Sequence, residues 1–271
     1  MMKGRALPGF RLTMGATLAW LGLIVLLPLA SLFVTSSSLT GAEFWQNVTS
    51  PRAMAAYRLT FGASLLAALI NGAVGLLIAW VLVRHDFPGK NLVNGLIDIP
   101  FALPTAVAGL TYSSLYGDKG WLGRFLAPLG IKAVYSPLAV LLVLIFISLP
   151  FVVRSIQPVL EDLGTESEEA AQSLGASRWQ TFRWVLFPSI LPALLTGIAL
   201  AFARAVGEYG SVVFVSGNIP FKTEIASLLV VNQLEEFNFG GAAAIAVVLL
   251  FASFAINGVI NLLSRWSRRH E

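Results

Sequence analysis

Residues 154–188 have the sequence RSIQPVLEDLGTESEEAAQSLGASRWQTFRWVLFP, and this polar stretch predicts an organised loop between two long apolar segments. Thr165 followed by Glu168 fits a capping box, which predicts a short helix over Glu166–Leu174. Three glutamates stand in the first turn of that helix, where the helix dipole favours anions. Gly175 is placed to end the helix in the left-handed conformation that glycine adopts readily.

A second capping box follows at Ser177 and Gln180, and it predicts another short helix from Arg178 to Phe187 that stops at Pro188. The aromatic side chains of this helix recur at helical spacing beside two arginines, a pattern typical of a helix that lies in the membrane interface. The first helix is acidic and has small side chains, which suits close contact with a partner. An ordinary amphipathic connector is the alternative interpretation.

Six apolar stretches around this loop are long enough to cross a membrane, since a spanning helix needs about 20 mostly apolar residues. They are Leu12–Val34, Leu59–Val83, Leu92–Tyr116, Ser136–Val153, Pro188–Ser216 and Ala242–Leu263. Hydrophobic residues make up 56% of the 271 residues and charged residues only 12%, about half the charge of a typical soluble domain. The sequence therefore predicts an all-α, polytopic membrane protein with six transmembrane helices and argues against a soluble enzyme.

Lysine and arginine indicate the orientation of these spans, because cytoplasmic loops carry an excess of them. With both termini in the cytoplasm, the inner segments hold most of these residues, and the 154–188 loop lies on the cytoplasmic side. The modest net charge of +4 does not indicate nucleic-acid binding. The chain has no cysteine and only two histidines, so a thiolate nucleophile and a His-based metal site are not expected. The long first apolar run predicts an uncleaved span rather than a signal peptide.

The loop resembles the EAA loop of bacterial ABC importer permeases, through the triplet 169–171 (Glu-Ala-Ala), Gly175 and Pro188 at matching spacing. It also falls between the fourth and fifth predicted spans, where that family has it. The resemblance implies that the loop couples the chain to a cytoplasmic ATPase. The coupling residues would be Glu168, Glu169, Ala170, Ala171, Leu174, Gly175 and Pro188. The chain has no G-x-x-x-x-G-K-[ST] phosphate loop, so the partner ATPase would use ATP and Mg²⁺, and this chain would hold no cofactor.

Longer strings resemble one group of permeases more closely: FALPTAVAGLTY at 101–112, LPFVVRSIQPVLEDLG at 149–164 and GEYGSVVFVSGNIPFKTE at 207–224. Together they are similar to the sulfate/thiosulfate permeases of the CysT type. That resemblance implies a type I ABC importer (MetI-like) fold in the bacterial inner membrane. It also implies three partners: a sister permease subunit, a dimer of a cytoplasmic ABC ATPase and a periplasmic sulfate-binding protein.

On this interpretation the chain divides into three parts. Residues 1–57 hold an N-terminal cytoplasmic segment, the first span and an outer loop; residues 58–264 form the permease domain; and residues 265–271 are a basic cytoplasmic tail. The expected function is a non-catalytic permease subunit for the import of sulfate and thiosulfate. A molybdate or tungstate permease is one alternative, and an ion-driven secondary anion carrier is another. A membrane-embedded enzyme is disfavoured, because the predicted spans hold no metal cluster or paired carboxylates.

Two features are candidates for the anion pathway or its gate. Pro100 and Pro104 interrupt the third span, and a broken helix would free backbone N–H groups near Thr105 for an anion. A proline kink that only shapes packing is the alternative. Arg204 and Glu208, four residues apart in the fifth span, are either an anion contact or an ion pair that braces a gate.

Two further stretches leave alternatives open. Small residues recur at every fourth position over 193–205, which predicts close contact with a helix of this chain or of the sister subunit. The outer segment Lys222–Phe237 carries three glutamates, Glu224 among them. These glutamates either help to dock the binding protein or belong to a solvated helix face.

Overall fold

The computed structural model describes residues 10–267, except for the side chains of residue 261 and residues 263–267. The chain is helical over this range, with no strand among the described residues, which confirms the all-α prediction. Parts of the predicted N-terminal segment (residues 1–9) and of the basic tail (residues 268–271) lie outside the described residues. In chain order the helices are α1 (Phe10–Ser36), α2 (Gly41–Val48), α3 (Pro51–Arg84), α4 (Lys90–Ile97), α5 (Ile99–Ala102), α6 (Thr105–Tyr116), α7 (Gly123–Leu126), α8 (Pro137–Asp162), α9 (Glu166–Ser173), α10 (Arg178–Val206), α11 (Val212–Ser216), α12 (Ala226–Glu235) and α13 (Phe239–Ser267).

Within residues 10–267, five helices are long and apolar enough to cross a membrane: α1, α3, α8, α10 and the Phe239–Ile260 part of α13. The stretch predicted as the third span is divided instead among α4, α5 and α6, with breaks at Asp98 and at Leu103. Six crossings are therefore consistent with the structure if the third is a broken helix.

The fifth predicted span, Pro188–Ser216, is wrong at both ends. The helix α10 begins ten residues earlier, at Arg178, and ends at Val206, where Gly207 is its C-cap and a turn leads into α11. The loop helix that was expected to stop at Pro188 therefore continues into the span.

A wide turn explains why Pro188 does not end the helix. Residues Phe182–Leu186 are π-helical, and Pro188 stands in the first turn of the α-helical stretch that follows. The π-helical turn changes the hydrogen-bond register of the backbone, and Pro188, which has no N–H to donate, follows directly after it. The same arrangement occurs in α1, where the π-helical residues Gly22–Leu26 precede Pro28.

The helices α3, α8 and α10 form the centre of the molecule, and a glycine stands at each of their three interfaces. A Cβ atom on Gly75 of α3 would lie 2.8 Å from the side chain of Val152 of α8. One on Gly197 of α10 would lie 2.9 Å from Val152 Cα, and one on Gly72 of α3 would lie 2.9 Å from the side chain of Ile198 of α10. The helices therefore approach closely enough that even a methyl group does not fit without a shift.

Buried polar groups add hydrogen bonds between α3 and α8. Asn71 Nδ2 donates to the Ile145 carbonyl and to Ser148 Oγ, both at 2.9 Å, and Ser148 Oγ donates to the Leu144 carbonyl at 2.6 Å. Asn71 and Ser148 are fully buried. A polar pair of this kind fixes the register of two helices, because sliding would leave its donors without partners.

The small residues over 193–205 pack within this chain, and Gly197 among them faces α8. Gly197 approaches Val152 and Ser155 of α8, and Ala201 and Ala205 are buried within the described chain. Of the two predicted contacts, with a helix of this chain or of a sister subunit, the structure therefore shows the first.

The side of the molecule that carries residues 163–177 is called the loop side below, and the opposite side is called the far side. Helix α13 packs against α10, and α1 lies outside α13, where the rings of Phe33 and Phe251 are 5.8 Å apart. The apolar window of α1 is not buried by the rest of the described chain. That surface is available to lipid or to another subunit.

An ion pair with a buried carboxylate lies on the far side. Arg52, at the start of α3, donates from Nε and Nη2 to the two carboxylate oxygens of Glu224, at 2.8 and 2.7 Å. Asn232 Nδ2 of α12 donates to Glu224 Oε1 at 2.7 Å, and the Glu224 side chain is fully buried. Glu224 therefore neither docks a binding protein nor belongs to a solvated helix face. It fastens the segment before α12 to α3. Glu235 and Glu236 are exposed.

Gly197→Ala is expected to lower the thermal unfolding midpoint of the purified protein, because the added methyl group meets the backbone of Val152. The expected cost is about 1–3 kcal/mol, the usual range for an overpacked core. Gly62→Ala in α3 is the matched control, since nothing lies within 4 Å of a Cβ atom there, and its midpoint should not fall. Equal midpoints for the two variants would contradict the close packing of α8 and α10.

Candidate functional site

The loop helix α9 spans Glu166–Ser173, with Leu174 as its C-cap, close to the predicted bounds. Gly175 follows with a φ of 84°, which confirms the left-handed residue predicted there. The capping box predicted at Thr165 is wrong: this residue has helical rather than extended dihedrals and makes no cap bond to the backbone. Its hydroxyl donates instead to Glu169 Oε1, at 3.1 Å.

The second predicted capping box is confirmed. Ser177 N donates to Gln180 Oε1 at 2.8 Å, and Gln180 N donates to Ser177 Oγ at 3.3 Å. This box starts α10, so Pro188 belongs to the spanning helix rather than to the exposed loop.

The coupling residues expected on α9 lie on two different faces. Glu169, Ala170 and Leu174 are exposed, and 89% of Leu174 is accessible. Glu168 and Ala171 are half-buried, and Glu168 contacts α3. The surface that α9 offers to a partner therefore consists of Glu169, Ala170 and Leu174 more than of the other two.

Sequence reasoning missed the contact of Glu168, which is Arg84 at the end of α3. Arg84 Nη2 donates to the Gly164 carbonyl at 2.6 Å, and Arg84 Nε lies 2.9 Å from Glu168 Oε1, an ion pair without hydrogen-bond alignment. The partners of Arg84 lie about 80 residues away, so the spacing of residues gives no indication of this contact. The sequence shows only a basic residue at the end of an apolar run.

The third span is broken beside the predicted prolines. Pro100 stands in the first turn of α5, Leu103 is extended, and Pro104 is the N-cap of α6. The first backbone hydrogen bond of α6 is donated by Ala108 N to the Pro104 carbonyl, at 3.1 Å. The N–H groups of residues 105–107 therefore have no carbonyl partner within the helix.

The start of α6 lies against the turn that follows α10. A Cβ atom on Gly210 would overlap Thr105 Oγ1, and one on Gly109 would overlap the carbonyl oxygen of Ser211. Gly109 is therefore required by a close approach of two backbones, and Gly210 leaves room for the Thr105 side chain. The structure thus brings together the two candidate sets for the anion pathway, which are far apart in the sequence.

Arg204 and Glu208 form the predicted ion pair, but Glu208 does not lie in the spanning helix as predicted. Arg204 Nη1 and Glu208 Oε2 are 2.5 Å apart, and only 2% of the Glu208 side chain is accessible. Glu208 Oε1 accepts from Ser211 N at 2.9 Å and from Ser211 Oγ at 2.8 Å. Because α10 ends at Val206, Glu208 lies in the turn and not on the same helix as Arg204. The carboxylate therefore ties the turn to the end of α10, which favours the bracing alternative for Glu208.

Arg154 of α8 holds the loop-side half of the broken span. Its Nε and Nη2 donate to the two oxygens of Asp98, at 2.9 and 2.6 Å. Its Nη1 donates to Asn94 Oδ1 at 2.7 Å and to Gln157 Oε1 at 2.6 Å, and Nη2 also donates to the Asn94 carbonyl at 2.9 Å. All five N–H groups of the guanidinium therefore have an acceptor.

Comparison with known proteins places these features in a family. The family described as binding-protein-dependent transport system inner membrane component matches residues 71–269. The chain is 50% identical to the sulfate transport system permease protein CysT of Salmonella typhimurium, over 98% of this chain and 96% of that protein. It is 53% identical to the protein of the same name from Synechocystis, over 94% and 89%. These relatives are named as transport permeases and not as enzymes.

Solved structures share the fold. A bacterial ABC transporter involved in the import of the acidic polysaccharide alginate matches with a TM-score of 0.78 at 16% identity, over 94% of each chain. The MetNI methionine ABC transporter, in inward-facing conformations, matches with a TM-score of 0.60 at 17% identity, over 84% of this chain and 99% of that one. At these identities the likeness concerns the fold alone, and it confirms the predicted MetI-like importer fold.

Glu208→Leu is expected to lower the thermal unfolding midpoint, because it removes the acceptor of Ser211 and leaves Arg204 without this carboxylate. The expected cost is about 1–3 kcal/mol, the range for a buried donor left unsatisfied. Glu208→Gln keeps a carbonyl acceptor for Ser211 and should lose less. If both variants unfold at the wild-type midpoint, Glu208 does not brace the turn.

Proposed function

The chain belongs to the family of binding-protein-dependent transport system inner membrane components, and from that premise we propose that it is the permease of an ATP-driven importer of sulfate, with thiosulfate as a second substrate. The observation that carries the proposal is the identity of 48–53% to permeases named for sulfate transport, over nearly the whole chain. Those relatives lend no comparable support to a molybdate or tungstate permease or to an ion-driven carrier.

The proposed assembly follows from the family and from one structural neighbour. The family is described as binding-protein-dependent, and an alginate transporter of the same fold is solved in complex with a periplasmic protein. By analogy, a sister permease subunit pairs with this chain, a sulfate-binding protein docks on the far side, and an ATPase dimer docks on the loop side. The excess of lysine and arginine on the inner segments supports a cytoplasmic loop side. ATP and Mg²⁺ are then used by the ATPase.

In the proposed coupling mechanism, α9 fits a cleft on the ATPase. Glu169 pairs with a basic group of the cleft, the small side chain of Ala170 lets the cleft wall approach, and Leu174 adds an apolar contact. All three are exposed in this chain, which supports that use. Closure of the ATPase dimer then displaces α9, and with it the spans.

The proposed anion pathway passes the break in the third span. Sulfate is a hydrated dianion, and its transfer away from water is costly unless hydrogen-bond donors replace the water. The free N–H groups after Pro104, beginning at Thr105, and the partly exposed guanidinium of Arg204 are donors of that kind. Pro100 and Pro104 keep the helix broken, and Glu208 offsets the charge of Arg204 so that the dianion is attracted without being trapped.

Uptake of labelled sulfate by the co-expressed transporter tests the substrate and the energy source together. Membrane vesicles should accumulate sulfate only when ATP is supplied, and unlabelled thiosulfate should compete while molybdate should not. Uptake of molybdate alone would overturn the substrate but not the mechanism. Uptake driven by an ion gradient without the ATPase would overturn the importer itself.

Ala170→Asp is expected to leave the permease folded, because Ala170 is exposed, and to prevent close contact with the ATPase. The amount of ATPase that co-purifies with the permease should fall roughly tenfold, which corresponds to ~1.4 kcal/mol of binding free energy. Asn91→Asp adds the same charge at another exposed position of the loop side and is the matched control. Normal co-purification and normal uptake by the Ala170 variant would contradict docking through α9.

A further inference from the structure

The helix α9 is joined to its neighbours in sequence by two glycines in the left-handed conformation. Gly164 precedes it with a φ of 56°, and Gly175 follows it with a φ of 84°. Nothing lies within 4 Å of a Cβ atom at either position, so no neighbouring group fills the space beside either glycine. Glycine is the least restricted residue in backbone conformation, and two such turns at the ends of a short helix allow it to swivel. The covalent connection to α8 and α10 therefore does not by itself fix the direction of α9.

One side chain bridges this hinge from a third helix. Arg84 is the last residue of α3, and its side chain is only 11% exposed. Its Nη2 donates to the carbonyl of Gly164, and its Nε lies beside the carboxylate of Glu168, in the first turn of α9. The guanidinium thus contacts the first hinge and the helix beyond it at once. An arginine with two partners of this kind is held in one geometry, which a lysine does not reproduce.

Aromatic rings hold Arg84 in place. Its guanidinium carbon lies 5.8 Å from the centroid of the Trp80 ring, one turn earlier on α3. Trp80 packs edge-on against Phe182 of α10, with ring centroids 5.8 Å apart. Phe182 lies in the π-helical turn that precedes the α10 span. The Arg84 contact is therefore continuous with the packing of α3 against the start of α10.

We propose that Arg84 is the positioning residue that fastens α9 to α3, so that a displacement of α9 moves the three-helix core of α3, α8 and α10 as one body. Without it, α9 swivels about Gly164 and Gly175, and part of the displacement is lost in the hinge. This inference rests on the proposed coupling function of α9. It adds that the displacement enters the core through α3, which is not adjacent to the loop in sequence.

The test compares Arg84→Gln with the wild type in two measurements. The chain has no cysteine, so Ser173→Cys provides a single exposed site for a spin label on α9. The label's mobility is measured on the full chain, co-expressed with its partner permease and reconstituted in nanodiscs before the ATPase is added. The number of sulfate ions imported per ATP hydrolysed is then measured on the complete transporter without the label.

Arg84→Gln should make the label more mobile and lower the sulfate carried per ATP by roughly fivefold, the lower end of the usual range for coupling between sites. Arg84→Lys keeps the charge without the paired geometry, so its label mobility and its sulfate per ATP should lie between those of Arg84→Gln and the wild type. If the glutamine variant does not fold, the lysine variant tests the proposal by the same two measurements. Arg183→Gln is the matched control, because Arg183 is exposed and contacts only the neighbouring Trp184 ring among the interactions described here.

Unchanged label mobility in the Arg84 variants would overturn the proposal, and so would higher mobility with an unchanged ratio of sulfate to ATP. A wild-type transporter that imports no sulfate would overturn the proposed substrate instead. In that case, a label whose mobility still depends on Arg84 supports the fastening of α9 to α3, so the two failures are distinguishable.

Discussion

At Gly72, Gly75 and Gly197 the helices α3, α8 and α10 come so close that a methyl group would meet the neighbouring helix. Lipid gives apolar helices no hydrophobic reason to associate, so close packing and buried hydrogen bonds such as those of Asn71 must hold them together. The polar joints described above all attach a peripheral segment to one of these three helices. They are centred on Arg52 and Arg84 of α3, Arg154 of α8 and Arg204 of α10.

The sequence alone predicted a structural feature correctly where the atoms that form it lie within a few residues of one another. Gly175 ends its helix as predicted, because a left-handed turn needs only the residue itself. The box of Ser177 and Gln180 forms, because both of its hydrogen bonds are local. The break at Pro104 and the six apolar segments follow from the chemistry of proline and from composition. The docking and anion-pathway roles of these residues remain predictions.

The sequence failed where a distant group competes for the same atoms. The box at Thr165 needs the carboxylate of Glu168, and Arg84 from another helix takes it. Pro188 does not stop its helix, because a π-helical turn absorbs the misfit just before it. The fifth span extends too far at its C-terminal end in the prediction, because apolar residues continue past Gly207 while the backbone turns. The partners of Arg52, Arg84 and Arg154 lie too far along the chain to be predicted from spacing.

The saturated guanidinium of Arg154 has a consequence for hydration. Its five N–H groups are all occupied by Asp98, Asn94 and Gln157, and this cluster is what attaches the loop-side half of the broken span to α8. The side chains of Arg154 and Asp98 are 29% and 47% exposed, so the pair is already partly open to its surroundings. If the two helices separate, water that reaches this exposed side can replace the hydrogen bonds that are lost, whereas lipid cannot. Movement at this point is therefore easiest where the cluster faces water.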